Sequence, residues 1–259
     1  MSSELRTRTI VGIILVLLAS TALYFGDFLF WLLLVVAGVL MQGEWGDLVG
    51  ASPDHRRLAM FAVSVPLALL CPLAAGVSWV AFTAMATAFF FVALVTRSIR
   101  LALGIAYVCL PVMALIFLRQ QTPPGTSGLL LAFWALSLVW ATDVGAYFAG
   151  RAIGGPKLAP RVSPSKTWAG LAGGVLAALV LGFLLHRFAG LPIQLAAASG
   201  LLAVAAQLGD LLESHMKRRA GVKDSGTLLP GHGGVMDRLD GLVAAAPLAA
   251  LAYLLLVLP

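Results

Sequence analysis

The sequence predicts an all-α, polytopic integral membrane protein of about nine transmembrane helices with its N-terminus in the cytoplasm. Three observations carry that prediction. Of 259 residues, 61% are hydrophobic and 11% are charged, whereas soluble domains run at roughly 45–50% apolar and about 25% charged. Apolar runs of membrane-spanning length recur along the whole chain. The basic residues between those runs fall almost entirely on one side of the implied membrane.

Composition excludes several classes. A soluble domain of this size could not hide so much apolar surface in one core. Disorder needs low hydrophobicity and high charge, the reverse of what is found. The net charge of +6 does not point to nucleic acid, because Lys and Arg are spread over short loops with no aromatic-interleaved basic patch. An anionic membrane surface accounts for the bias. Cys71 and Cys109 lie in apolar runs without CxxC spacing and read as small buried hydrophobes.

A spanning helix needs about 20 mostly apolar residues. Runs at 9–25, 27–42, 58–75, 77–95, 101–118, 127–149, 168–187, 192–211 and 241–258 supply the spans. The first follows Arg6 and Arg8 as a signal peptide would, but the second begins so soon afterwards that a retained helix is the better reading. With the N-terminus inside, every Lys and Arg except Arg119 and Arg187 is cytoplasmic. A wrong span count would scramble that asymmetry. Residues 1–126 read as scaffold, with Glu4, Asp27, Glu44, Asp47 and Asp54 in loops or at span ends. Residues 127–259 carry the chemistry, with cytoplasmic loops at 150–167 and 212–240.

Residues 210–240 hold ten of the chain's 17 basic and 11 acidic residues. Asp210 and Glu213 are three apart, which puts them on one helix face, and Lys217 continues that face. Asp237 and Asp240 are likewise three apart at the start of the last span. Carboxylates near a membrane boundary are costly unless neutralised. Mg²⁺ does this well, held by a few carboxylates together with substrate phosphates. Lys217, Arg218, Arg219 and Lys223 suit phosphate oxygens, and Gly231, Gly233 and Gly234 let backbone N–H groups approach an anion. Taken singly these residues have blander readings: Asp237 as a helix N-cap, the basic run as a positive-inside stop, His232 as a loop residue. Together they describe a metal-assisted phosphate site facing the cytoplasm.

The second constellation is 143–174. Asp143 lies about two turns inside the sixth span, and an ionisable group there is a functional candidate. Its alternative is an ion pair with a neighbouring helix. Tyr147 is one turn further along. Arg151, Lys157, Arg161 and Lys166 follow in a segment that Pro160 and Pro164 stiffen. Ser163, Ser165 and Thr167 can cap a helix or bind phosphate. Gly170, Gly173 and Gly174 permit close helix packing, or could admit a nucleotide or headgroup.

The stretch from Ser214 to Asp240 resembles the signature of the phosphatidate cytidylyltransferase (CDP-diacylglycerol synthase) family, at Ser214, Lys217-Arg218, Lys223-Asp224, His232-Gly233-Gly234 and Asp237-Arg238-Leu239-Asp240. Upstream, Asp143, Tyr147, Gly150-Arg151, Gly154, Ser163-Pro164, Lys166-Thr167, Gly170, Asp210 and Glu213 also match, while Ser165 and Ala169 stand where the family often has Lys and Glu. The resemblance implies transfer of the cytidylyl group of CTP to phosphatidic acid, giving CDP-diacylglycerol and pyrophosphate for phospholipid biosynthesis. It implies Mg²⁺ as cofactor with K⁺ as activator, and a homodimer in the bacterial cytoplasmic membrane. It implies Asp210, Asp237 and Asp240 as metal ligands. Glu213, Lys217 and Lys223 join them as catalytic candidates. The substrate-binding candidates are Asp143, Tyr147, Ser163, Lys166, Thr167, Ser214, Arg218, Asp224, His232, Gly233, Gly234 and Arg238. The rival reading is an ion-coupled carrier with Asp143 in its path, against which the charges cluster on one side and no inverted repeat is visible.

Overall fold

The computed structural model describes residues 3–122, 126–229 and 231–258, and only the backbone over 3–8, so the side chains of Glu4, Arg6 and Arg8 lie outside what is described. Among the described residues are nine helices: α1 (Ser3–Phe25), α2 (Asp27–Leu48), α3 (Pro53–Leu69), α4 (Trp79–Thr96), α5 (Ile99–Gln120), α6 (Gly128–Ala152), α7 (Trp168–Ala189), α8 (Ile193–Arg219) and α9 (Met236–Leu256). Seven of them, α2 and α4 to α9, are long and apolar enough to cross a membrane. The apolar part of α1 is shorter, Thr9–Phe25, and α3 has 17 residues. The chain is an all-α, multi-pass membrane protein, close to the expected count.

Several boundaries differ from the apolar runs, because capping and helix propensity as well as apolar character set where a helix starts and stops: α3 stops at Leu69, short of residue 75, and α9 starts at Met236, ahead of residue 241. α2 continues past residue 42 through Gln42, Glu44 and Trp45, all buried. α8 continues past residue 211 to Arg219, because Leu, Glu, Met, Lys and Arg are good helix formers. α3 begins at Pro53, where Ser52 Oγ accepts the His55 N–H, an N-cap with proline at the first position. The segment 212–240, expected as a loop, is therefore irregular, among the described residues, only over 220–229 and 231–235. The segment 150–167 holds an antiparallel ribbon, β1 (Lys157–Ala159) with β2 (Ser163–Thr167).

The chain forms two compact units, Met1–Ile116 with Arg219–Leu239, and Phe117–Arg218 with Asp240–Pro259. In the first, α1 packs on α2, α2 on α3 and α3 on α4. The indole N–H groups of Trp31 and Trp45 donate to Leu67 O and Arg100 O, each at 2.9 Å, which satisfies the one polar atom each ring buries.

In the second unit α6 packs closely against α7. A Cβ on Gly145 would lie 2.7 Å from Gly173 O, and one on Gly174 would lie 2.8 Å from Thr142 O. The Gly170–Gly174 run packs closely on α6. Lipid tails give no hydrophobic drive between spans, so backbone proximity at small residues has to supply the contact. Buried Trp134 donates to Ser199 Oγ at 2.9 Å, tying α6 to α8. Gly209 lets α8 approach α9, where a Cβ would sit 2.6 Å from Asp240 O.

Candidate active site

The second unit gathers the carboxylates of α6, α8 and α9. Asp240 on α9 lies within the electrostatic reach of Asp210, Glu213 and Asp143. Its Oδ1 accepts the Gly241 N–H at 2.7 Å. Like charges so placed repel unless cations enter. Lysines answer two of them. Lys166 Nζ on β2 meets Asp210 Oδ2 at 2.5 Å, and Lys217 Nζ meets Glu213 Oε1 at 3.1 Å, one turn along α8. The Glu213 side chain is fully buried. Ser214 Oγ donates to Asp210 Oδ1 at 3.3 Å, and Gln207 Nε2 donates to Asp143 Oδ1 at 3.4 Å. The i, i+3 and i, i+4 spacings on α8 bring these groups to one face.

Three upstream candidates have structural partners. Thr167 Oγ1 accepts the Gly170 N–H at 3.0 Å and caps α7. Tyr147 Oη accepts from Arg151 Nη1 at 2.8 Å on exposed α6 surface. Ser163 pairs with Ala159 in the ribbon.

The first unit holds the other half of the motif. Asp237, 8% exposed, accepts the Ser225 N–H on both oxygens, at 3.1 and 2.9 Å, and the Gly234 N–H at 2.7 Å. Its carboxylate therefore fastens the loop, as an N-cap fastens a helix. His232 donates its backbone N–H to Leu229 O at 2.8 Å, and its ring lies beside Gly12 of α1. Gly233 has φ 81°, and a Cβ there would lie 2.6 Å from Asp237 Oδ2. Lys223, Asp224 and Arg238 are exposed, as is Arg218 of the second unit.

Glu44 is the functional candidate that sequence reasoning misses. Its position at a span end marks it as scaffold, yet it is 8% exposed and its carboxylate accepts hydrogen bonds from the 220–235 loop and from the first residue of α9. A carboxylate within a helix of membrane-spanning length was the available signal.

Among the described residues no three of His, Cys, Asp and Glu converge closely enough to hold a metal by themselves. The donors of the second unit are hard carboxylate oxygens, and they repel one another around Asp240. That donor set fits Mg²⁺, which keeps several waters and takes one or two carboxylates plus substrate phosphates rather than an all-protein cage.

The sequence model of a family described as the cytidylyltransferase family matches residues 6–256. The chain is 40% identical over 262 residues to the phosphatidate cytidylyltransferase of Brucella suis biovar 1, covering 95% of this chain and 92% of that protein. It is 37% identical over 264 residues to the phosphatidate cytidylyltransferase of Pseudomonas aeruginosa, covering 95% and 96%. Against that of Bacillus subtilis it is 48% identical over 123 residues, 46% of each.

Proposed function

The chain belongs to the cytidylyltransferase family, and from that premise we propose that it is a phosphatidate cytidylyltransferase. It transfers the cytidylyl group of CTP to phosphatidic acid, forming CDP-diacylglycerol and pyrophosphate for phospholipid biosynthesis. The observation that supports this reading, beside the whole-length similarity, is the set of carboxylates from α6, α8 and α9 around Asp240, with Lys217 and Arg218 on α8 and Arg238 on α9.

A phosphate oxygen of phosphatidic acid, ionised near neutral pH, attacks the α-phosphorus of CTP. The bond from that phosphorus to the bridging oxygen breaks and pyrophosphate leaves. No strong base is required. The barrier is repulsion between anions, so the protein contributes positioning and charge. Asp210 and Asp240 would hold Mg²⁺, and only the motif resemblance adds Asp237 to them. When bound, the ion supplies positive charge to the triphosphate and to the departing pyrophosphate. Glu213 keeps Lys217 in place. Lys217, Lys223, Arg218 and Arg238 take phosphate oxygens. Asp143, Tyr147, Ser163, Lys166, Thr167, Ser214, Asp224, His232, Gly233 and Gly234 shape the substrate surface. The acyl chains stay in lipid.

We further propose, from the Lys and Arg distribution and the motif resemblance, a homodimer in the cytoplasmic membrane with the site facing the cytoplasm. The test is purified protein in detergent with phosphatidic acid, Mg²⁺ and labelled CTP or ATP. Lipid-linked label from CTP alone is the expected result. Label from neither nucleotide refutes the reading.

A further inference from the structure

Glu44 stands four residues before the end of α2 and is 8% exposed. Its Oε1 accepts the Val235 N–H at 2.8 Å. Its Oε2 accepts the Ser225 hydroxyl and the Met236 N–H, each at 2.8 Å. Gly226 packs on the same carboxyl so closely that a Cβ would lie 2.9 Å from Oε1. Met236 opens α9, so the carboxylate also meets the positive end of that helix. Asp237 takes the remaining donors, the N–H groups of Ser225 and Gly234. The segment is thus gripped at both of its ends. Apolar packing alone does not account for a buried carboxylate, whose desolvation is costly unless donors surround it.

We propose that Glu44 is a positioning residue for cytidylyl transfer: it clamps the neck of the loop at Ser225 and Val235–Met236 and so sets where Lys223 and Asp224, just before the neck, and Arg238, just after it, meet phosphate. The inference rests on the function proposed above. It assigns to the N-terminal half a part in the reaction that the motifs do not contain.

The test uses the full chain in detergent, with E44Q, S225A, the double variant and E44D beside the wild type. Wild-type formation of CDP-diacylglycerol checks the underlying reading separately; a wild type inert with CTP sinks that reading whatever Glu44 does. Glutamine keeps the shape but turns an amide NH₂ toward a backbone or hydroxyl donor. For E44Q we expect kcat to fall on the order of 10- to 100-fold, KM for CTP to rise, and amide exchange across 225–236 to quicken, with the folded fraction retained. S225A should lose less. The double variant should be no worse than E44Q, because the hydroxyl acts through the carboxylate. E44D, which keeps two acceptors, should recover part of the loss. Wild-type kcat and KM in E44Q overturn the proposal, as does a loss that merely tracks the folded fraction, or a double loss equal to the product of the single ones. Should E44Q not fold, S225A decides: a several-fold drop in kcat at full folded yield supports the clamp, and unchanged kinetics overturn it.

Discussion

Lys166 and Asp210 meet at 2.5 Å, joining the ribbon after α6 to the charged end of α8. Their side chains are 17% and 25% exposed, so the pair is far less screened than one on open surface. The ammonium thereby neutralises a carboxylate proposed to hold Mg²⁺, and joins two segments that the motif places 44 positions apart.

Removing that ammonium should show in turnover before it shows in stability. Lys166→Met is expected to lower the rate of labelled CDP-diacylglycerol formation by about 10-fold or more, ~1.4 kcal/mol. The thermal midpoint in detergent should move by only a few degrees, as expected for about 1 kcal/mol in a chain this long. Wild-type turnover would take Lys166 out of the site.

Asp210→Asn and Asp237→Asn should differ. The first is expected to lower turnover about 100-fold, ~3 kcal/mol, with folding kept, because its ring of partners is side chains. The second breaks a carboxylate that accepts from two backbone N–H groups, that of Ser225 on both oxygens and that of Gly234 on one. An asparagine amide facing one of those donors leaves it unsatisfied, which costs ~1–3 kcal/mol. Its loss of activity should come with a lower thermal midpoint. Paired melting and turnover measurements on the two variants check this.

Thr167→Ala removes the α7 cap and is expected to cost ~1 kcal/mol. Thr167→Ser keeps a hydroxyl at the same place and should be close to neutral. Melting curves in detergent separate the two.

Gly173→Leu drives a side chain into Ala149 of α6. Overpacking of that kind costs ~1–3 kcal/mol, and here it pries apart the seam that carries Asp143. A lowered midpoint with reduced extraction yield is the expected outcome. Arg97→Gln, exposed at the end of α4, is the control and should change neither.

The helical scaffold and the acidic pair of α8 are legible in the sequence because both are local. Apolar runs count themselves, and Asp210 with Glu213 share a face of α8 through i, i+3 spacing, whereas Asp237, three before Asp240, is bonded to the N–H groups of Ser225 and Gly234. What escapes is long-range or depends on a helix outlasting its apolar stretch. Glu44 meets Ser225 across 181 residues, and no local pattern announces that. The end of α8 looks like loop because charges begin at Asp210, though the helix runs on to Arg219. The ribbon escapes because Pro160 and Pro164 read as loop punctuation; Pro164 sits within β2 of a two-stranded ribbon, where every strand is an edge and a missing N–H is tolerated.

With 27 residues, α8 is about 40 Å long, roughly 10 Å more than the hydrocarbon depth of a typical bilayer. Measured from Ile193, Asp210 comes about 26 Å along the axis, so a helix entering the hydrocarbon at Ile193 would carry that carboxylate to the far boundary. Longer tails would submerge that carboxylate, and shorter ones would leave it standing in water.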